Sequence, residues 1–243
     1  AITMPIMNVI HAFGSLVGAG SSARMSIVLG KRDIAWAENI LGNSLLLTFA
    51  FGALFLGVGY SFLDDILGMF GASDLTLDYA RTYMLIVLPG MFFTTLTFNL
   101  TGLMRASGYP MKSMYILVSG AILNVILDPV FIFVFKWGIA GAAWATTISM
   151  FLTGIASLLH FCSPKSFIRF RSHAWKPRLY IFKNILMIGM SPFLMNLAAS
   201  AVVAMLNTQL LRYGGRLSGV FGENAADLAV GTYGIVNTFC SFM

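Results

Sequence analysis

From Met111 to Phe135 the sequence reads MKSMYILVSGAILNVILDPVFIFVF, with one cation near its start and one carboxylate, Asp128, near its far end. At ~1.5 Å per residue a helix of this length crosses the ~30 Å of a bilayer's hydrocarbon. The apolar residues do not alternate as in a barrel strand, and they leave no polar face for water. The stretch therefore reads as a transmembrane helix. Outward from it, runs of the same kind recur at 4–30, 38–63, 77–104, 138–162, 181–211 and 226–243. Turn chemistry separates them: Gly30-Lys31-Arg32-Asp33, Gly71-Ala72-Ser73-Asp74, Gly108-Tyr109-Pro110, Trp137-Gly138 and Gly214-Gly215. The expected fold is all-α and polytopic, seven helices in the cytoplasmic membrane with the last incomplete. Because the chain opens and closes inside apolar runs, both ends are expected to be cuts through helices.

Composition agrees. Hydrophobic residues make up 58% and charged residues 10%, with a mean hydropathy of +0.84, whereas soluble domains carry roughly a quarter charged residues. The formal charge of +6 sits in short connections without an interleaved aromatic RNA motif, which argues against nucleic acid and for the bilayer surface as partner. Cys162 and Cys240 lie in apolar surroundings without CxxC spacing, so neither a disulfide framework nor a zinc site is indicated. No cofactor is expected.

Alternate connections carry ten cations, Lys31, Arg32, Arg105, Lys112, Lys165, Arg169, Arg171, Lys176, Arg178 and Lys183. The intervening ones hold Arg81, Lys136, Arg212 and Arg216 beside the acids Asp64, Asp65, Asp74, Asp78, Glu223 and Asp227. The positive-inside rule makes the first set cytoplasmic, so the first run travels from outside to inside. The longest basic connection, 163–180, reads as a solvated cytoplasmic loop between two units: 1–162, and 181–243 as the start of a second. An Ile-x-Asn echo at Asn8 and Asn237 fits such a repeat.

Asp128 is the carboxylate that falls well inside a span. A charge there is expensive, at least ~2.5 kcal/mol, which marks it as functional by default. Counted from Lys112, it lies about 24 Å into the membrane, in the outer half. Asn124 is one helical turn away on the same face, and Pro129 supplies no N–H to the carbonyl of Val125. Carboxylate, amide and carbonyl oxygens are hard ligands that suit a proton or Na⁺. Against this stands a purely structural role, a cap or a hydrogen bond within the bundle. Asn8, Asn43, Asn99, Asn196, Asn207, Gln209 and Asn237 read as interhelical hydrogen-bonding residues. Pro89, Pro129 and Pro192 are hinge candidates, the pairs Pro89-Gly90 and Ser191-Pro192 being expected to bend or break their helices. His11, His160 and His173 form no HExxH, and no GxSxG is present, so an intramembrane enzyme is the weaker class.

The segment Asn124–Pro129 followed by Gly138-Ile139-Ala140-Gly141-Ala142-Ala143-Trp144-Ala145-Thr146 resembles the multidrug and toxic compound extrusion (MATE) exporters. Gly18-x-Gly20-Ser21-Ser22 and Leu103-Met104-Arg105-Ala106-Ser107-Gly108 look the same way. The stretches Ser191–Ser200 and Ala229–Asn237 are similar to the MepA-type multidrug subgroup. The resemblance implies helices two to eight of a twelve-helix, two-lobed family. It implies alternating access and export of lipophilic, mostly cationic molecules by a monomer in exchange for H⁺ or Na⁺. Resemblance to the DinF-like branch assigns the cation site to Asp128 and Asn124 by motif, and to Tyr83 and Thr146 by position. The span 181–211 has no acid where the NorM-like branch has a Glu, which speaks against a Na⁺ site in the second lobe. A flippase for lipid-linked precursors has the same superfold, but it would need cations in its cavity, and Arg24 is the nearest case.

Overall fold

The computed structural model describes residues 4–69, 74–164, 166–214 and 232–233. Among these residues there are seven α-helices: α1 (Met4–Gly30), α2 (Ile34–Ser61), α3 (Leu63–Met69), α4 (Asp74–Ala106), α5 (Pro110–Pro129), α6 (Gly138–Cys162) and α7 (Leu179–Gly214). All but the short α3 are long and apolar enough to cross a membrane. The protein is a multi-pass membrane bundle, as its hydropathy indicates. Apart from residues 232–233, the expected seventh span at 226–243 lies outside the described residues, as do most of the turn at 71–74, the second glycine of the pair at 214–215, and the Asn237 half of the echo.

Local chemistry sets the boundaries. After Gly30 the chain turns through Arg32 at φ 60°, and the Asp33 carboxylate accepts the Trp36 N–H at 2.9 Å to cap α2. Gly108 takes φ 92°, and Pro110 then opens α5 at the position where its missing N–H is not needed. At Phe62 the helical ladder breaks, so the span expected at 38–63 ends at Ser61 and α3 follows.

The prolines behave differently from one another. Neither Pro89 nor Pro192 breaks its helix; α4 and α7 run on through them. At Pro89 the carbonyl left without its N–H partner is that of Leu85, which accepts the Tyr60 hydroxyl at 3.3 Å. Next to it, the Ile86 carbonyl accepts the Thr147 hydroxyl at 2.9 Å. The α2 side chain thus replaces what the proline removes, and the α6 hydroxyl adds a second bond beside it. Pro129 instead ends α5, and the chain widens into a π-helical turn over Val130–Val134.

α1 is the hub, packing against α7, α4 and α2, while α4 packs on α6, and α6 carries α5 at the edge. Small residues make the α1–α7 seam possible. A Cβ on Gly20 would meet the Ile185 carbonyl, and one on Gly189 the Leu16 carbonyl. Within the hub, the buried Asn99 of α4 ties three helices. Its Oδ1 accepts from Ser21 at 2.7 Å, and its amide donates to Ser44 at 3.2 Å and Thr48 at 3.0 Å.

The connection between α6 and α7 keeps Arg169, Arg171, Lys176 and Arg178 at the surface but is docked rather than loose. Ile168 and Ala174 are buried against the helices. The Arg171 guanidinium meets the Glu38 carboxylate at 3.2 Å. Asn43 donates to the Lys176 carbonyl at 3.1 Å and accepts the Arg178 N–H at 2.8 Å.

Candidate functional site

The four residues proposed from sequence converge from three helices. α5 presents Asn124 and Asp128 one turn apart, and the Asn124 amide donates to the Asp128 carboxylate at 3.5 Å. The same amide donates to the Thr146 hydroxyl of α6 at 3.4 Å. Tyr83 of α4 lies beside the Thr146 side chain and close enough to Asp128 to feel its charge. All four are half-buried.

Proton accounting fixes what the cluster offers. Thr146 spends its hydroxyl proton on the Ala142 carbonyl at 2.9 Å, so toward Asn124 and Tyr83 it can only accept. The Asn124 amide then points its N–H groups at one anion and one hydroxyl. A half-turn of that amide would instead present its oxygen beside those of Asp128, Thr146 and Tyr83. Such oxygens are hard ligands, suited to H⁺ or an alkali cation rather than a soft metal. Among the described residues no group of three or more His, Cys, Asp or Glu side chains could hold a metal.

A cavity of about 240 Å³ opens beside the cluster between α4, α5 and α6, reached by Asn124 and Thr146 and lined further by Thr97, Phe98, Met150 and Thr153. Its hydroxyls follow the same rule as Thr146. Thr97 donates to Phe93 at 2.8 Å, and Thr153 to Ser149 and Met150 at 2.9 Å. Each hydroxyl therefore shows lone pairs rather than a proton to the space, among apolar walls. Sequence reading missed this lining. The signal was there, a stripe of hydroxyls at helical spacing in Thr94, Thr97 and Thr101 and in Thr146, Ser149 and Thr153. Glu38 was also missed as a site-forming residue, since its partner Arg171 is remote in sequence.

Several of the other singled-out residues have structural partners, while the side chain of His173 lies outside the described ones. His11 packs edge-on against Phe98 at 5.6 Å, and His160 lies between Tyr109 and Phe161. Asn196 donates to Ser15 and to the Pro192 carbonyl. Asp64 pairs with Arg81 at 3.2 Å near the end of the bundle where the acids collect.

The family model MatE matches residues 1–130. The multidrug export protein MepA of Staphylococcus haemolyticus (strain JCSC1435) is 30% identical over 214 residues, covering 88% of this chain and 47% of the relative. MepA of Staphylococcus aureus (strain MRSA252) is 28% identical over 235 residues, covering 97% and 49%. The chain thus spans about half the length of the curated relatives it matches. Among solved structures, the inward-facing conformation of a multidrug resistance MATE family transporter of the MOP superfamily superposes with a TM-score of 0.83 at 25% identity, covering 94% of this chain and 51% of that one. An outward-facing conformation under the same description gives 0.78 at 26% identity, covering 97% and 51%.

Proposed function

The chain belongs to the MatE family, and from that premise we propose that it forms the cation-coupling part of a multidrug efflux transporter. The observation that carries the proposal is the convergence of Tyr83, Asn124, Asp128 and Thr146 beside a cavity whose hydroxyls only accept. In this reading residues 1–162 form one lobe, 163–180 the cytoplasmic connection, and 181–243 the start of the second lobe. H⁺ or Na⁺ enters from outside and loads at Asp128. The cavity takes the apolar body of a lipophilic cation and offers lone pairs to its charge.

Coupling needs a free-energy difference between two conformations, because a ligand that binds both equally shifts neither. A carboxylate that is charged when empty and neutralised when loaded supplies that difference. When charged it holds the Asn124 N–H; when loaded it releases it. Pro89, Pro129 and Pro192 remain the positions proposed to absorb the ensuing movement. Among the described residues the cavity lining includes no Lys or Arg, which supports a cationic cargo over the phosphate of a lipid-linked precursor. A transporter of this kind carries out no bond chemistry and is not an enzyme.

The test is Asp128→Asn in the full-length protein, reconstituted into liposomes under an imposed inward H⁺ or Na⁺ gradient with a lipophilic cationic dye. Asn keeps volume and hydrogen bonding but cannot gain and lose a charge. Dye movement is expected with Asp128 and abolished with Asn, and the gradient that drives it identifies the ion. Transport by the Asn variant at the unsubstituted rate under both gradients would show that Asp128 is structural.

A further inference from the structure

At the basic end of the bundle, four side chains from α1, α2 and the start of α7 form a continuous ladder. The Arg24 guanidinium lies 5.9 Å from the centroid of the Tyr180 ring. Tyr180 is 6.4 Å from the Trp36 ring, and the Arg178 guanidinium is 5.0 Å from the other end, over Trp36. Aromatic faces hold both cations in place but neutralise neither. Among the described residues the ion pairs are Arg81–Asp64 and Arg171–Glu38, so neither arginine of the ladder reaches a carboxylate. The nearest acids in sequence are engaged elsewhere: Asp33 caps α2 and Glu38 holds Arg171.

Alongside the ladder the same three segments expose apolar side chains. Ile27 follows Arg24 by one turn, Ile34 precedes Trp36, and Leu179 lies between Arg178 and Tyr180 at 84% exposure. Two uncompensated guanidiniums at the level of the headgroups, with aromatic rings between them, match the charge of an anionic headgroup and the interfacial depth at which such rings settle. We propose that Arg24, Trp36, Arg178 and Tyr180 form a binding site for the headgroup of an anionic phospholipid in the cytoplasmic leaflet.

The site joins the first helix of the bundle to the first turn of α7, so a bound lipid lies across the α1–α7 seam at its basic end. Its occupancy is independent of the cation cluster, and its test reads lipid preference, not transport. It therefore stands or falls apart from the export reading.

The experiment uses the full-length protein in which Trp36 is the sole tryptophan of residues 1–243 (Trp137→Phe, Trp144→Phe, Trp175→Phe), reconstituted in vesicles of brominated phosphatidylglycerol mixed with unlabelled phosphatidylcholine, and in the reverse mixture. Quenching of Trp36 is expected to be stronger when the anionic lipid carries the bromine at equal mole fraction. Arg24→Gln and Arg178→Gln should each lower the apparent preference about fivefold, while Lys31→Gln with Arg32→Gln, on the neighbouring turn, leaves it in place. Equal quenching by the two lipids overturns the proposal, and that comparison needs no substitution at the arginines, so it survives a variant that does not fold. A loss in the Lys31/Arg32 variant as large as in the arginine variants overturns it too, since attraction would then be spread over the whole basic surface.

Discussion

Asn124 touches Asp128 along its own helix at 3.5 Å and Thr146 on the next helix at 3.4 Å, so one amide links the carboxylate on α5 to α6. Its replacement by Leu leaves the Asp128 charge in place and removes that link. Gradient-driven dye export should fall about tenfold, as one hydrogen bond to a charged group warrants, with dye exchange at equilibrium less affected. Initial rates in the two modes check this, and equal loss in both would assign Asn124 to substrate binding instead.

Asn99 is expected to matter for stability and not for coupling. Its three buried hydrogen bonds join α1, α2 and α4, and bonds inside membrane bundles average ~0.6 kcal/mol each. Asn99→Ala should therefore destabilise by roughly 2 kcal/mol, with Ser21→Ala at about a third of that. Thermal unfolding in detergent measures both; an unchanged midpoint for Asn99→Ala would show the network to be energetically idle.

The α1–α7 seam tolerates no side chain at two points. Gly20→Val and Gly189→Val place carbons against backbone carbonyls, and overpacking of this kind destabilises by about 1–3 kcal/mol. Gly30→Ala, with nothing near its added carbon, is the control and should be close to neutral. If all three melt alike, the close approach is not what holds these helices together.

Orientation is tested through Cys162, which is exposed at the end of α6. With Cys240→Ser, a membrane-impermeant maleimide should label the protein in inside-out vesicles and fail to label it in intact cells. The opposite pattern would invert the bundle and place Asp128 in the inner half of the membrane.

What could be read in advance follows the range of the forces involved. Six spans and the Asn124–Asp128 pair were legible because hydropathy and the helical turn act within a few residues. Tyr83 and Thr146 were reached through family resemblance alone, since nothing local to either distinguishes it from other Tyr and Thr residues near helix ends. The docking of Arg171 on Glu38 was not legible: it depends on a connection of irregular backbone folding back onto α2, and the run of cations in it looks the same whether solvated or paired. The short helix α3 escaped for a related reason: Asp64-Asp65 reads as the end of a span, and nothing local to it announces a new helix.

The Tyr60 bond to the carbonyl freed at Pro89 bears on how the sequence can change. A hydroxyl at residue 60 has value only while residue 89 supplies no N–H, so the two positions are epistatic although they lie on different helices. Tyr60→Phe is expected to destabilise the natural protein by about 1 kcal/mol and to be nearly silent beside Pro89→Ala, where the helix again satisfies its own carbonyl. A double-mutant cycle reads this directly, and additive effects would refute it. With coupling, mutational drift at the proline has a preferred order: the helix must regain its own hydrogen bond before the tyrosine is free to vary.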